Sequence, residues 1–555
     1  MRLVLIETLG NQAHVFSSNR LREMMGASEH IRKLGADWVR GACKGLEARP
    51  VLATSGKAMV LVADKDSADT LVTRVVTAAF RKAPGLAVMG AHVEIDVQAS
   101  AREFHGGVTA VHRELGRLRG LHPPAQAHLA RLPFAEDCHS TGQGAAGFDP
   151  HDPASAGGLL PYSAATLAKR IMRPDAIANL NRVLGLKPED LHLYDQRRAR
   201  NPDERDGLDD FDAAWRAVVH ADGNGMGEVF LRFGECVAAA GGKTADDYID
   251  AYQAFSQALD GANSKAVKAA TQETWKQFFD RTEVDPRRVP MKPVVLAGDD
   301  LTVICDGARA IDFTQRFVEG FRRETAGSDA IRRIMAAAEG LFAEEAGRAP
   351  RPFEGITSGA GIAIVKPHHP FHRAYELAES LAKSAKGLPK RLNLSALDFH
   401  VAYDGASDLD EIRQERDTHV CLFAGPYLTG EPSTDEPAFR TVAQLVDLVE
   451  GFGNPVRAEA LSEPAGEEEH ARIPASQLHA LRDAVSLGEG VANAAVARIQ
   501  SRYSSAFEHL PGIAPLFLAG LDGGPPRTML LDAMVLADVV ASDRVSGETG
   551  QEEAD

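Results

Sequence analysis

Two adjacent aspartates, Asp299 and Asp300, follow a glycine in the stretch AGDDLTVICDG, residues 297–307. An apolar run precedes them and an alternating apolar run follows, the pattern of a strand-turn-strand corner. Upstream, Asp222 closes another strand-like run in VVHADGNGMG. If that strand lies beside the hairpin, three carboxylates from distant positions converge. Crowded carboxylates repel and raise one another's pKa, so the arrangement calls for a compensating charge. Mg²⁺ supplies one, taking one or two carboxylates together with phosphate oxygens and water. Two such ions, about 4 Å apart, form the clamp used in nucleotidyl transfer, one serving an attacking hydroxyl and the other the triphosphate. Gly223, Gly225 and Gly227 follow Asp222 directly, and without side chains the backbone there can approach a phosphate. The start of the next helix favours an anion at the same place. Lys383 and Lys386, on a later helix, could offset triphosphate charge.

Each of these signals has a plainer reading. Asp favours turns, so the dipeptide alone reads equally as a polar hairpin corner. The glycines alone describe a strand-to-helix turn, and the lysines alone describe a solvated helix face. His368, His369 and His372 beside Pro370 read as packing or capping, and Cys138-His139 is at most half a zinc site. The combination in one topology is what favours the metal reading.

The elements that must position these residues follow a repeated order. RLVLIET is a strand, and residues 19–46 are helical, with Gly26 read as a break between two helices. RPVLATSGKAMVLVADK is a hairpin turning at Ser55-Gly56-Lys57, followed by a helix and the strand LAVMGAHVEIDV. This order, β-α-α-β-β-α-β, is the ferredoxin-like pattern. Residues 101–121 read as a connecting helix, 121–160 as a Pro/Gly/Ala/His-rich linker, 162–186 as helical, and DQRRARNPDERDGLDD as a solvated charged stretch. From residue 213 the order recurs and ends on HPFHRAYELAESLAKSAKG and SALDFHVAYDG. The fold class is therefore α+β: two ferredoxin-like palms (1–120 and 211–410), a linker with a helical segment (121–210), a helical C-terminal domain (425–540) and an acidic tail expected to be disordered (543–555).

The totals bound the function. A chain of 555 residues exceeds one hydrophobic core, and 44% apolar with 25% charged residues is ordinary for a globular protein. A net charge of −17 excludes strong non-specific nucleic-acid binding by the surface as a whole. Five scattered cysteines and no signal peptide point to a reducing cytoplasm, and no stretch is long enough to span a bilayer.

VVHADGNGMG, VVLAGDDLTVICDG and KPHHPFHRAYELAESLAKSAKG together resemble the catalytic palm of the CRISPR polymerase family, which supplies the large subunit of type III CRISPR effector complexes. FSSNRLREMMGASEHIRKLG is similar to the first, non-catalytic palm of the same proteins, so the resemblance covers residues 1 to about 405. It implies two facing ferredoxin-like palms and synthesis of cyclic oligoadenylates from ATP with Mg²⁺. The family's Gly-Gly-Asp-Asp hairpin is here Ala297-Gly298-Asp299-Asp300, and a second first-strand acid of the family is here Asn224, which carries no charge. The first palm has no acid at its hairpin, and Glu7 is the only carboxylate near the end of its first strand. That palm is expected to be catalytically silent and to help bind a second nucleotide between the palms. The family's nuclease domain and zinc module are missing from the sequence, which suggests a reduced, stand-alone form acting in phage defence.

The combined assignment is as follows. Asp222, Asp299 and Asp300 are catalytic, and the metal ligands are these three with Gly223. Two Mg²⁺ ions are expected, with Mn²⁺ as a substitute. Nucleotide contacts are Gly223, Asn224, Gly225, Met226, Gly227, Gly298, Lys383 and Lys386. ATP or another nucleoside triphosphate is the substrate, with CRISPR subunits and RNA as partners. Two rival readings are a scaffold or sensor that binds nucleotide or RNA without turnover, and a dinucleotide cyclase acting as a homodimer, as in the related GGDEF palms.

Overall fold

The computed structural model describes residues 1–121, 134–149, 159–185, 215–279, 290–388, 392–403, 409–414, 421–432, 439–452, 473–504, 516–519 and 525–552. The charged stretch 195–210 and much of the 121–160 linker lie outside the described residues. The first sheet contains β1 (Arg2–Leu9), β2 (Ala48–Thr54), β3 (Lys57–Val62) and β4 (Ala87–Glu94). Its order is β2-β3-β1-β4, antiparallel throughout. A two-stranded ribbon, β5 (Gly147–Phe148) with β6 (Pro161–Tyr162), follows in the segment between the sheets.

The second sheet contains β7 (Arg216–Gly223), β8 (Met291–Ala297), β9 (Asp300–Asp306), β10 (Ser358–Val365), β11 (Ala396–Ala402) and β12 (Tyr427–Leu428). Its order is β12-β11-β10-β7-β9-β8, so β8, β9, β7 and β10 repeat the arrangement of the first sheet. β10 and β11 run parallel. A parallel pair needs a crossover, and helix Phe371–Lys386 provides it. β12 extends this sheet beyond residue 410, where the second unit was expected to end.

Local chemistry accounts for many helix starts. Asp64 caps helix Lys65–Lys82, and capping boxes at Ser100, Thr244 and Thr441 open Ala101–Arg119, Ala245–Thr274 and Val442–Gly451. Helix Ala101–Arg119 lies at the junction of the two units. The Ala101 N–H donates to the Lys243 carbonyl and the Ala245 N–H to the Ala99 carbonyl, each at 3.1 Å. His105 bridges further, meeting the Tyr248 hydroxyl at 3.1 Å and the Leu231 carbonyl at 2.9 Å. One contiguous apolar core runs through both sheets and reaches the C-terminal helices. Among the described residues no helix is long and apolar enough to cross a membrane.

Three sequence expectations change. Helix Leu21–Lys33 runs unbroken through Gly26, and a π-helical turn, Leu34–Trp38, follows it. Gly26 is a contact residue instead: a Cβ there would lie 2.0 Å from the Lys169 carbonyl oxygen on helix Ala164–Ile171. Helix Asp329–Glu345, capped by Ser328, occupies a stretch to which no element was assigned. The last helix, Leu530–Glu552, carries helical backbone across most of the segment expected to be disordered. Its first turns are anchored, because Asp532 accepts from the Tyr427 hydroxyl at 2.5 Å and the Ala424 N–H at 2.8 Å. A nucleated helix propagates at little cost per added residue.

Gly26→Ala should destabilise the chain by about 2 kcal/mol, because the Lys169 backbone must move to admit the methyl group. Gly106→Ala, on helix Ala101–Arg119 with nothing within 4 Å of the new methyl, should be neutral or stabilising. Melting temperatures of the two variants check the contrast.

Candidate active site

β7 and β9 are antiparallel neighbours with Ala221 opposite Leu301, which sets Asp222 against Asp300 across the strands. The turn between β8 and β9 is Gly298-Asp299, and Gly298 adopts φ 59, a left-handed conformation that favours glycine. Helix Ala245–Thr274 clamps this turn from behind. Asp260 Oδ1 accepts from the Gly298 N–H at 2.6 Å, and Asn263 Nδ2 donates to the Gly298 and Asp300 carbonyls, both at 3.0 Å. Asp260 and Asn263 were not singled out from the sequence. The available signal was two polar residues at i, i+3 on an otherwise apolar helix face.

The three aspartates do converge. Asp222 and Asp299 lie close enough for their carboxyl groups to interact. Burial pushes the Asp299 carboxyl up to about 7, with the Asp222 charge adding to it. Burial also pushes Asp300 up to about 8, with Asp222 and then Asp299 contributing. The Asp300 side chain is 43% exposed overall, so solvent moderates its displacement, yet its Oδ1 is buried without a hydrogen-bond partner. Gly223 is required beside them, since a Cβ there would sit 2.8 Å from Asp299 Oδ2.

Lys386 is the counter-charge of the cluster. Its Nζ contacts Asp222 Oδ2 and donates to the Gly223 carbonyl at 3.3 Å. Two glycines of β10 admit this contact. Gly359 lies opposite Asp222 in the sheet, and a Cβ there would meet Lys386 Cγ at 2.4 Å. A Cβ on Gly361 would meet the Ala378 carbonyl oxygen at 2.0 Å. Helix Phe371–Lys386 therefore presses onto β10 where β10 has no side chains.

Other candidates go elsewhere. Lys383 is 71% exposed and pairs with Glu379 at 2.9 Å, away from the carboxylates. The Asn224 amide is turned to Thr357, with Nδ2 donating to Oγ1 at 3.0 Å, and the Asn224 N–H donates to the Thr357 carbonyl at 2.8 Å. Gly225, with φ 77, starts a helix of six residues, Met226–Leu231, and Met226 is buried beneath the turn. Gly227 and Gly298 line a cavity together with Asp299. His220, two residues before Asp222, was also missed. Its Nδ1 lies 3.1 Å from Thr302 Oγ1 and 3.5 Å from Asp300 Oδ1, and burial lowers its pKa.

That cavity has a volume of about 630 Å³ and lies between the two units. Lys57, His105, Thr109 and His112 form its wall from the first unit, and Phe230, Tyr248, Tyr252 and Leu259 its apolar side from the second. Glu7 stands opposite Lys57 in the β1–β3 register and pairs with it at 3.0 Å. His112 and Arg119 lie 3.7 and 3.6 Å from Glu7. The first unit thus neutralises its own carboxylate with a lysine at the place where the second unit has Asp300.

The donors suit a hard divalent cation, since all are carboxylate or carbonyl oxygens and one buried carboxylate oxygen is unpartnered. Among the described residues, no three His, Cys, Asp or Glu side chains stand in an arrangement ready to hold a metal ion, and Lys386 occupies Asp222. Cys138-His139 and His368, His369 and His372 form no such group either.

Residues 216–394 match the model of the Cas10/Cmr2 second palm domain, a span that holds Asp222, Asp299, Asp300 and Lys386. That part of the chain is thus similar to the second palm domain of Cas10/Cmr2. Similar solved structures include a Csm1-Csm4 cassette in complex with AMPPNP, at 14% identity and TM-score 0.37, covering 69% of this chain and 53% of that one. A Csm1-Csm4 cassette in complex with cA4 is 12% identical with TM-score 0.47, and Csm1 in T. onnurineus is 13% identical with TM-score 0.49. Each of these two matches covers 98% of this chain and 69% of the other. The chain spans about half the length of the first of these structures. No curated protein matches the sequence.

Without metal, folded Asp299 and Asp300 hold protons up to about pH 7 and 8, which an unfolded chain releases near pH 4. The folded state binds more protons across that window, so this contribution to stability is present at low pH and is lost as pH rises towards 8. Melting temperatures in chelator at pH 5, 6, 7 and 8 should fall with pH, and more steeply for the wild type than for Asp300→Asn. Parallel slopes would contradict the assignment.

Proposed function

We propose that this protein is a nucleotidyltransferase with two ferredoxin-like palms, joining ATP units into cyclic or linear oligoadenylates. The observation that carries the proposal is the meeting of Asp222, Asp299, Asp300 and Lys386 beside a cavity between the units that Asp299 lines. Asp222, Asp299, Asp300 and the Gly223 carbonyl would hold two Mg²⁺ ions, or Mn²⁺ in their place. When bound, the ions supply charge neutralisation and activation of a 3′-hydroxyl.

The chain's own groups do the rest. The Gly223–Gly227 backbone lets a triphosphate approach closely, and Lys386, held at Asp222, is the cation placed to meet a phosphate oxygen. The aromatic and apolar side of the cavity, Phe230, Tyr248 and Tyr252, excludes water from a nucleobase. Lys57 and His112 of the first palm face a second nucleotide across the cavity, and that palm performs no chemistry of its own because Glu7 is already paired. CRISPR subunits and RNA are its proposed partners, on the family of the palm domain.

A second reading is a nucleotide- or RNA-binding palm without turnover. The Asn224 amide bound to Thr357 and the Lys386 ammonium seated on Asp222 favour it.

Pure protein incubated with ATP and Mg²⁺ should yield oligoadenylate by mass spectrometry. Asp299→Ala and Asp300→Ala should abolish the product without lowering the melting temperature. Lys386→Ala should lower the rate on the order of tenfold or more, whereas Lys383→Ala should leave it unchanged. Tight ATP binding with ATP recovered intact would select the second reading.

A further inference from the structure

The carboxylate cluster belongs to the second unit, but the residues that orient it are partly in the first. The segment after β1 reaches across to helix Phe371–Lys386 at three points. Gln12 Nε2 donates to the Tyr375 hydroxyl at 2.8 Å. The Phe16 ring packs against the Tyr375 ring in a tilted pair, 4.8 Å between centroids. Asn19 Oδ1 accepts from the Phe371 N–H at 3.2 Å, capping a helix whose own N-cap, Pro370, offers no side-chain acceptor.

Tyr375 is buried and passes this restraint on. Its ring meets the His220 ring edge-on at 5.5 Å, and His220 is the side chain beside Asp300 Oδ1, the unpartnered buried oxygen of the cluster. The same helix delivers Lys386 to Asp222 about 16 Å further along, eleven residues from Tyr375. The reaching segment is itself held from behind, because the buried Lys169 ammonium donates to the His14 carbonyl at 2.5 Å and to Ser17 Oγ at 2.6 Å.

We infer that Gln12, Phe16 and Asn19 of the first unit are positioning residues for the carboxylates of the second. They set Tyr375, which sets His220 beside Asp300, and they fix the helix that carries Lys386. The first unit thereby governs how well the carboxylates receive a divalent cation, although it contributes no ligand. The inference rests on the reading of these carboxylates as metal ligands.

Mn²⁺ binding to the full chain, titrated by electron paramagnetic resonance without nucleotide, tests it. Wild-type binding should depend on Asp300 and vanish in Asp300→Asn. Gln12→Leu and Tyr375→Phe should each weaken Mn²⁺ about fivefold, as loss of one hydrogen bond does. The double variant should be no weaker than either single one, because both remove the same contact. Tyr375→Phe keeps the ring and its packing, so it reports even if Gln12→Leu fails to fold. A purely structural contact would lower the melting temperature and leave Mn²⁺ affinity unchanged, and that result overturns the inference alone. Wild-type protein whose Mn²⁺ binding is absent or indifferent to Asp300→Asn overturns the reading of the carboxylates and the inference with it.

Discussion

The Lys386 ammonium lies against the Asp222 carboxylate, and the second sheet is shaped to permit that contact. Three carboxylates placed this close repel, and a protein can hold them there only by protonation, by an opposite charge or by both. Here both operate. Burial and the Asp222 charge favour the protonated form of Asp299, and Lys386 contacts Asp222. Neither would work with a larger residue at Gly223 or Gly359, since the space those glycines leave is filled by Asp299 and by the Lys386 stem. Asp260 and Asn263 complete the support by pinning the turn that carries Asp299.

The two units answer the same geometric question in opposite ways. Each has a central strand beside a hairpin, with an acid near the end of that strand. In the first, Glu7 faces Lys57 and the pair closes on itself. In the second, Asp222 faces Asp300 with Asp299 beside them, and the counter-charge comes from outside the hairpin, from Lys386. Two positions of the hairpin, Gly56-Lys57 in the first unit and Asp299-Asp300 in the second, separate a self-satisfied sheet end from one that gathers acids.

Much of this was readable without coordinates, for definite reasons. Strands β7, β8 and β9 are apolar runs bounded by Gly and Asp, and runs of that kind leave little choice of element. Their antiparallel adjacency follows from the hairpin and the repeated order, so the meeting of Asp222 with Asp299 and Asp300 could be anticipated. Contacts set by absence were not legible. Gly26 reads as a helix breaker, yet it marks a close approach to Lys169. Lys383 and Lys386 look alike on paper, and only the vacancy at Gly359 decides which one reaches the cluster. His220 and Tyr375 were invisible because their significance depends on a neighbour more than a hundred residues away.

The bridge at Ser100 and Thr244 has a mechanical meaning. Two long helices depart from one doubly bonded point, and the cavity lies along both, with His112 on one and Leu259 on the other. That point ties the starts of the two helices together, and His105 ties them again one turn on. His112 is twelve residues, about 18 Å, from Ser100, so this part of the cavity wall is set by the direction in which the helix leaves the joint. The width of the chamber is thus set by how the two helices are joined as much as by either sheet.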